Sequence, residues 1–347
     1  MKRAALLAAA VLLVGCGGGS SSDGPATTAA TATTFGSAVV ATPAPTTAGS
    51  VVDAMGRTVE VPDDPTRIVA LSEPAVDGLL ALGITPLAIT AGRGQTGATG
   101  YLANQLDGVP IVAALAAPNY EAIAALRPDL ILVDGTSTSD ASAIDLLAGI
   151  APTVFVSVTG EDWQVAFRAL GDAIGRHDQV EQVLADYRDR VVWLQAELGP
   201  KVDTTVSIVR WGLLTPALML KELLPSKVIA DVGFRRPPSQ DREGPGHSEP
   251  VSLEQLQTID ADWIFIGTIG GASGQGAGGA SDEGTGKAAS IEAIARAEQT
   301  PGFTLLAAYQ AGHVVPVDGS AWMSAGGPLA AGVILDDVLA AVGGSNP

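Results

Sequence analysis

The sequence predicts an α/β fold of two lobes with parallel sheets, joined by a single long α-helix. Short apolar segments rich in Val and Ile alternate with helical or turn segments up to residue 156, a pattern typical of a parallel sheet covered on both faces. A long amphipathic helical segment interrupts this alternation between residues 178 and 198. The alternation then resumes and indicates a second sheet after the helix.

The composition indicates a folded, acidic protein. Its 347 residues are enough for one large or two ordinary domains, and 47% hydrophobic against 16% charged residues excludes disorder for most of the chain. The formal net charge is −18, from 19 basic and 37 acidic residues, which argues against nucleic-acid binding because that function needs a basic face. One cysteine and three histidines exclude a disulfide scaffold and a zinc site built on cysteines.

The first 15 residues have the features of a secretory signal peptide. Lys2 and Arg3 precede an apolar run of 11 residues, which is shorter than the about 20 residues that a membrane-spanning helix needs. After Gly15 comes Cys16, the only cysteine of the chain, and this ending resembles the bacterial lipoprotein signal. The resemblance implies cleavage before Cys16, lipidation of its thiol and attachment to the extracytoplasmic face of the cell membrane. The alternative is a soluble secreted protein with an unmodified cysteine.

Residues 16–50 are expected to form a lipidated cysteine followed by a disordered tether. From residue 17 to 50 the chain consists almost entirely of Gly, Ala, Ser, Thr and Pro, and Asp23 is its only charged residue. Such a segment buries too little apolar surface to offset its ordering entropy. Its root-mean-square reach is roughly 30 Å, which would hold a folded body away from a membrane surface.

The N-terminal lobe is predicted over residues 51–163. Five short apolar strands are expected, and the helical stretch after the first of them ends at Leu82, just before Gly83, where glycine commonly follows a helix. The expected strands are 67–71, 86–90, 111–112, 130–133 and 153–156.

Residues 164–200 are predicted to connect the lobes as helices. One helix is expected over 163–174 and a second over 178–198, and the second has apolar residues three and four positions apart with charges on its other faces. At about 1.5 Å per residue the second helix is roughly 30 Å long. Gly199 and Pro200 are expected to end it.

The C-terminal lobe is predicted over residues 201–347. Residues 270–287 hold eight glycines and are interpreted as a mobile insertion. They do not match a phosphate-binding P-loop, because Ser281 and Ala288 replace residues that this motif requires. The expected strands of this lobe are 206–211, 263–266 and 314–317, and the expected helices are 226–232, 252–259 and 328–342.

Two segments 133 residues apart share a plan of helix, tight turn with Asp, and buried strand. The first begins at Asn119 and the second at Ser252, both good helix N-caps, and Ser252 with Gln255 matches a capping box. Glu121 and Glu254 fall at the second helical position of each segment, on an exposed first turn. An acid there favours the helix dipole, but the repeat also fits two equivalent lobes that each display one carboxylate on the same side.

Six segments and the long helix carry a resemblance to a known family. They are RIVALSEPAVDGLLALG (67–83), YEAIAALRPDLILV (120–133), IAPTVFV (150–156), DVGFRRPPSQ (231–240), LEQLQTIDADWIFI (253–266) and HVVPVDGSAWMSAGGPLAAGVILDDV (313–338). Together they resemble the substrate-binding lipoproteins of bacterial ABC importers. The resemblance implies Rossmann-like lobes joined by one long helix, as in class III periplasmic binding proteins. The run 236–240 is the most specific segment and is similar to the siderophore branch.

The same resemblance implies a function without catalysis. The protein is expected to capture a ferric siderophore in a preformed cleft between its lobes and to deliver it to the permease of an ABC transporter, as a monomer with no cofactor of its own. In this family one glutamate of each lobe docks onto arginines of the permease. That role carries over by position to Glu121 and Glu254.

The candidate ligand-binding residues follow from charge and position. Loops at the carboxyl ends of parallel strands are expected to line the cleft. Between residues 210 and 242, six basic residues are opposed by only three acidic ones, and arginine binds oxyanions with a planar fork. The candidates are Arg210, Arg235 and Arg236 for oxyanions, Trp211 and Trp322 for stacking on a ligand, and Arg93 and Tyr101 from a loop of the other lobe.

Each candidate also has a purely structural interpretation. Arg210 could belong to an ion pair, one of Arg235 and Arg236 could brace its loop, and the two tryptophans could belong to the core. Glu73 is interpreted as an acid at a helix start rather than as a ligand group.

Other functions stay open at this point. Haem or cobalamin could bind to the same fold, haem with arginines and an axial His or Tyr, and a ligand-free envelope interaction lipoprotein is a further alternative. A metal site is not expected, because His177, His247 and His313 lack the spacing of a ligand set. An enzyme is not expected either, since the chain has no G-x-S-x-G or H-E-x-x-H motif and no G-x-G-x-x-G after its first strand.

Overall fold

The structure, a computed structural model, describes residues 47–114, 116–212, 215–244, 248–269 and 284–344. The predicted signal peptide, Cys16, His247 and residues 270–283 of the predicted insertion lie outside the described residues. The tether was expected to reach residue 50, but residues 47–50 already belong to a strand, so this boundary is corrected.

A six-stranded sheet organises the N-terminal half. Among the described residues this half has eight strands and three α-helices: β1 (Thr47–Val52), β2 (Thr58–Pro62), β3 (Ile68–Ala70), α1 (Glu73–Ala81), β4 (Ala88–Thr90), β5 (Ile111–Ala114), β6 (Ala117–Pro118), α2 (Tyr120–Leu126), β7 (Leu130–Val133), α3 (Ala141–Ala148) and β8 (Thr153–Phe155). The sheet order is β6-β5-β4-β3-β7-β8, with β1 and β2 as a separate antiparallel pair.

Five strands of this sheet are parallel, as the sequence predicts, and β6 is antiparallel to β5. The strands β3 and β7 are buried along their whole length, which explains why both are unbroken apolar runs rather than alternating ones. Helix α1 begins where Ser72 caps it by accepting a hydrogen bond from the main-chain nitrogen of Ala75.

Two helices follow the first sheet, α4 (Trp163–Ala173) and α5 (His177–Leu198). Helix α5 has 22 residues and confirms the predicted long helix. Its buried positions repeat every three or four residues, so it packs along one face while its charged residues stay outside. They are Val180, Leu184, Tyr187, Val191, Leu194 and Leu198.

A mixed five-stranded sheet organises the C-terminal half. Its elements are β9 (Val206–Trp211), β10 (Pro216–Met219), α6 (Leu224–Val232), β11 (Ser248–Pro250), β12 (Trp263–Gly267), α7 (Lys287–Ala297), α8 (Ala307–Gln310), β13 (Val314–Pro316), α9 (Gly319–Trp322) and α10 (Pro328–Val338). The sheet order is β11-β10-β9-β12-β13. The strands β9, β12 and β13 are parallel, whereas β10 and β11 add an antiparallel edge that the sequence did not predict.

One face of each sheet belongs to a shared apolar core, and the other faces have cores of their own. A single cluster of buried side chains runs from Ile68 in the first sheet through Leu184 of α5 to Val338 of α10. Helix α10 packs against α1, α5 and α6, so the end of the chain lies against the start of the first lobe. A shared core of this kind resists wide opening of the lobes, because any opening would expose apolar surface to water. Within the described residues, no helix combines the length and apolar character that crossing a bilayer requires.

Candidate functional site

Arg93 and Arg210 approach each other from the two sheets. Arg93 lies in the loop that follows β4, and Arg210 is the fifth residue of β9, so each stands at the carboxyl end of a parallel strand. Both are partly buried. The pKa of Arg210 is lowered, first because burial removes water from its guanidinium and second because the charge of Arg93 lies nearby. The structure therefore brings these two predicted residues together.

Neither of these two arginines forms a salt bridge with a carboxylate in the part of the chain that the structure describes. Among the described residues, no carboxylate lies within 4.0 Å of either guanidinium, and Arg210 donates one hydrogen bond of 3.3 Å to the hydroxyl of Ser248. Two desolvated like charges repel, and an anion placed between them would relieve both the repulsion and the lost hydration. We refer to Arg93 and Arg210 as the inter-lobe arginine pair.

The loop around Arg93 is shaped by glycine and held by a buried acid. Gly94 has a φ of +69°, which side-chain-bearing residues rarely adopt. The main-chain nitrogen of Arg93 donates a hydrogen bond of 2.9 Å to Glu73, and the hydroxyl of Thr99 donates one of 3.2 Å to the same oxygen. The sequence AGRGQTG (91–97) predicts neither a strand nor a helix here. The hydrogen bonds to Glu73 hold the loop in place instead.

A second buried acid of α1 fastens the lobes to each other. Asp77 is fully buried and accepts hydrogen bonds of 2.9 Å from the main-chain nitrogens of Leu329 and Ala330, at the start of α10. The hydroxyl of Tyr101 donates a hydrogen bond of 2.6 Å to Asp77 as well. Tyr101, a candidate ligand residue, therefore has its hydroxyl engaged in the contact between the lobes, where Ser320 also accepts from its main-chain nitrogen.

Arg236 is a buried brace and not a residue of the inter-lobe arginine pair. Its guanidinium donates to the hydroxyl of Ser226 at 2.6 Å, to the main-chain oxygen of Met219 at 2.9 Å and to the side chain of Gln240. Burial lowers the pKa of Arg236 to about 9. Because Gln240 in turn accepts from the main chain of Ile208 in β9, Arg236 ties α6 to the sheet.

Arg235 lies at the other end of β9 from Arg210. Its main chain pairs with Thr205 in an isolated β-bridge, next to the first residue of β9. Its side chain donates a hydrogen bond to the main-chain oxygen of Asp203. The expectation that Arg235 contacts the ligand is therefore corrected. Arg235 stands there because the chain returns through β10, which is antiparallel to β9, and then through α6 before it reaches Thr205.

The two tryptophans point into the core, so the expectation that they stack on a ligand is also corrected. Trp322 is 0% exposed, its ring stacks on Phe265 at 4.8 Å between centroids, and its indole nitrogen donates to Asp337 at 2.9 Å. Trp211 is 5% exposed and meets Phe303 edge to face.

The acids Glu121 and Glu254 are exposed and lie where the sequence places them, at the second position of α2 and of the segment Leu253–Ile259. The first segment is an α-helix capped by Asn119. The second is a 3₁₀-helix interrupted at Gln255, and the side chain of Ser252 caps nothing, so the predicted capping box does not form.

A groove of about 310 Å³ lies elsewhere, between β1, β8 and α4. It is lined by Val52, Phe155 and Asp172 among others and touches no candidate ligand residue. The candidate site is therefore the inter-lobe arginine pair, where two positive charges lie close together, and not this groove.

Sequence reasoning missed Asp77 and Ser324 and gave Glu73 a minor role. A usable signal was the spacing of Glu73 and Asp77, which places two acids one turn apart on a helix that is otherwise apolar. Acids on the buried face of a helix need hydrogen-bond donors. Both acids have donors in the other lobe: the hydroxyl of Ser324 donates to Glu73, and main-chain nitrogens of α10 donate to Asp77.

Comparison with known proteins identifies the family. Residues 68–321 match the family described as periplasmic binding protein. The chain is 30% identical over 298 residues to the Probable siderophore-binding lipoprotein YfiY of Bacillus subtilis (strain 168), covering 83% of this chain and 86% of that one. It is 26% identical to the Fe(3+) dicitrate-binding periplasmic protein FecB of Escherichia coli (strain K12), over 84% and 89% of the two chains.

A solved structure agrees in fold. Staphylococcus aureus SirA complexed with staphyloferrin B matches with a TM-score of 0.70 and 25% identity, over 85% of this chain and 98% of that one. The predicted fold of two α/β lobes with parallel strands, joined by a long helix, is thereby confirmed. The chain belongs to the periplasmic binding protein family, whose members bind substrates for transport.

Proposed function

We propose that this protein is an extracytoplasmic solute-binding lipoprotein that captures a ferric siderophore at the inter-lobe arginine pair and delivers it to an ABC permease. The observation that carries the proposal is the pair itself: Arg93 and Arg210 are close and partly buried, and neither forms a salt bridge with a described carboxylate. In an acidic protein, two such cations are expected to serve an anionic ligand.

The chemistry of the pair favours a chelate that presents carboxylate oxygens. Guanidinium groups bind planar carboxylates with two parallel hydrogen bonds. Trp211 and Trp322 are buried, so neither ring offers a stacking surface for an aromatic chelate. The relative FecB is named for binding Fe(3+) dicitrate, which fits this preference. The chelate is cargo in this proposal, and the protein needs no resident cofactor.

The shared core supports a site that exists before the ligand arrives. Because α10 packs against α1 and the two lobes share one cluster of buried side chains, binding is expected to move the lobes little. Such a site binds by preorganisation, with little energy spent on ordering.

No contact among the described residues favours haem or cobalamin. Haem needs an axial ligand, but the hydroxyl of Tyr101 is engaged with Asp77, and the ring of His313 stacks on Trp263 at 3.9 Å. His177 lies at the start of α5, paired with Asp172.

Two further parts of the proposal concern the membrane. The lipidated Cys16 would anchor the protein to the outer face of the cell membrane, since relatives such as YfiY are named lipoproteins. Glu121 and Glu254, one exposed acid on each lobe, would dock onto the permease. Each lies in the first turn of a helical segment that leads into a parallel strand.

Isothermal titration calorimetry tests the binding proposal. The mature chain is titrated with ferric citrate, a ferric trihydroxamate and a ferric triscatecholate. We expect saturable binding with ferric citrate tightest, and weaker binding of ferric citrate at higher ionic strength, because the attraction between charges is screened. Absence of heat with all three chelates would contradict the proposal.

A further inference from the structure

The carboxylate of Glu73 joins three segments of the chain at one point. Its first oxygen accepts hydrogen bonds from the main-chain nitrogen of Arg93 and the hydroxyl of Thr99, which lie near the two ends of one loop. Its second oxygen accepts from the hydroxyl of Ser324, which precedes α10 in the other half of the molecule. The side chain is 3% exposed, so water does not compete for these bonds.

These contacts fix the loop that carries Arg93. With Gly92, Gly94 and Gly97, this loop loses much backbone entropy on ordering and has few side chains to pack. Glu73 holds it to the start of α1 and, through Ser324, to the C-terminal half that also carries Arg210.

Glu73 also acts on the inter-lobe arginine pair by charge. The charge of Arg93 opposes the effect of burial, which raises the pKa of Glu73. Yet no oxygen of Glu73 lies within 4.0 Å of the guanidinium, so the acid lies near Arg93 without occupying its hydrogen-bonding fork. The fork stays available to a ligand.

Asp77 offers a natural comparison within the same helix. It too is a buried acid that bridges the lobes, but its partners are Tyr101, Leu329 and Ala330, and none of them belongs to the Arg93 loop. Loss of either acid should weaken the contact between the lobes, whereas loss of Glu73 alone should release the loop.

We propose that Glu73 is a positioning residue: it holds the Arg93 loop against Ser324 and thereby sets where Arg93 stands relative to Arg210. The part that concerns ligand affinity rests on the function proposed above, and the part that concerns the loop does not.

Hydrogen–deuterium exchange of the ligand-free protein tests the loop. In Glu73→Ala, the amides of residues 92–99 are expected to exchange about tenfold faster than in the wild type. In Glu73→Gln, whose amide can still accept from Arg93 and donate to Ser324, exchange should stay within about twofold of the wild type. Asp77→Ala should leave residues 92–99 unchanged. Unchanged exchange in Glu73→Ala, or equal acceleration in Asp77→Ala, would overturn the proposal.

A double-mutant cycle with ferric citrate tests the link to Arg93. Glu73→Ala alone is expected to weaken binding about tenfold, through loss of preorganisation. In a protein that already carries Arg93→Ala, the same substitution should change affinity by less than about twofold, because there is no guanidinium left to position. Equal weakening in both backgrounds would show that Glu73 does not act through Arg93.

The two experiments separate the two proposals. If the wild type binds no ferric citrate, the proposed cargo is wrong, while the exchange of residues 92–99 still decides whether Glu73 holds the loop. If binding is tight but exchange is unaffected by Glu73→Ala, the function stands and the positioning role is wrong.

Discussion

Asp77 accepts a hydrogen bond of 2.9 Å from the main-chain nitrogen of Ala330, which lies 253 residues further along the chain. The acid of the first helix thus caps the last α-helix. Gly327 makes the approach possible, because a Cβ atom at that position would lie 2.7 Å from a carboxylate oxygen of Asp77. Two lobes that share such a cap behave as one body, which suits a preformed site.

Replacing Asp77 with Ala should destabilise the whole protein. The main-chain nitrogens of Leu329 and Ala330 and the hydroxyl of Tyr101 would lose their acceptor in a buried place. We expect the free energy of unfolding to fall by about 3 kcal/mol, as measured by urea denaturation. The control is Asp140→Ala, which removes the exposed cap of α3 and should cost less. Equal losses of unfolding free energy in the two variants would contradict the expectation that the buried acid contributes more than the exposed one.

The stability of the protein is expected to depend on pH through Asp77. Burial raises the pKa of this carboxyl above its usual value of 3.8. Between the unfolded and the folded pKa, the folded protein therefore binds more protons than the unfolded one, and the free energy of unfolding falls as the pH rises. Above the folded pKa this contribution is constant.

The variant Asp77→Asn lacks this titration. The free energy of unfolding of the wild type relative to the variant should therefore decrease from about pH 4 towards neutral pH. Urea denaturation at several pH values measures the difference, and the contribution of Glu73, present in both proteins, cancels. If the free energies of unfolding of the two proteins changed with pH in parallel, this would refute the raised pKa of Asp77.

The fold was predictable because its parallel strands are local apolar runs. The predicted strand 206–211 matches β9 residue for residue, and the predicted helix 178–198 differs from α5 by one residue. The strands β10 and β11 were missed, since their antiparallel pairing depends on β9 as a neighbour and leaves no periodic signal in a stretch that contains Pro216.

Arg210 and Arg235 form a matched pair of substitutions for ligand binding. Both are arginines at the ends of β9, but Arg210 belongs to the arginine pair and Arg235 lies at the opposite end. Arg210→Ala should weaken ferric citrate binding by about 2 kcal/mol, or roughly thirtyfold, because a charge-assisted contact is lost. Arg235→Ala should leave affinity unchanged. Calorimetry measures both, and similar losses would show that the ligand site was misplaced.

The substitution Trp322→Phe tests whether Trp322 is a core residue or a stacking surface for the ligand. The substitution removes the hydrogen bond from the indole nitrogen to Asp337, an acid whose pKa burial already raises. The free energy of unfolding should fall by about 2 kcal/mol, while ferric citrate affinity stays the same. A loss of affinity at unchanged stability would mean that the ring reaches the ligand.

The positions of the candidate site residues in the fold were only partly predictable, and the reason lies in the topology. Arg93 and Arg210 follow from the rule that ligands bind at the carboxyl ends of strands. Arg235 pairs with Thr205 at the amino end of β9, after the antiparallel β10 that the sequence did not predict, and Trp322 lies in a buried four-residue helix, α9. Glu73 and Asp77 are understood only once α10 packs against α1, because their partners lie more than 250 residues away for three of their hydrogen bonds.

Glu121 and Glu254 are two exposed acids, one on each lobe. If they dock onto the permease, the double variant Glu121→Ala with Glu254→Ala should bind ferric citrate as tightly as the wild type, because both acids are exposed and neither contacts the arginine pair. Uptake of iron by cells that carry this variant should nevertheless fail. The control is Asp178→Ala, an exposed acid in the first turn of α5, which should leave uptake intact.

This comparison separates docking from the helix dipole. An acid in a first helical turn contributes about 0.3–1 kcal/mol to stability through the dipole, and all three acids hold such positions. Only the docking role makes uptake depend on the two acids of the lobes and not on the acid of the connecting helix. Normal uptake by the double variant would leave the dipole as the sole role of both glutamates, and the permease contact would then have to lie on another surface.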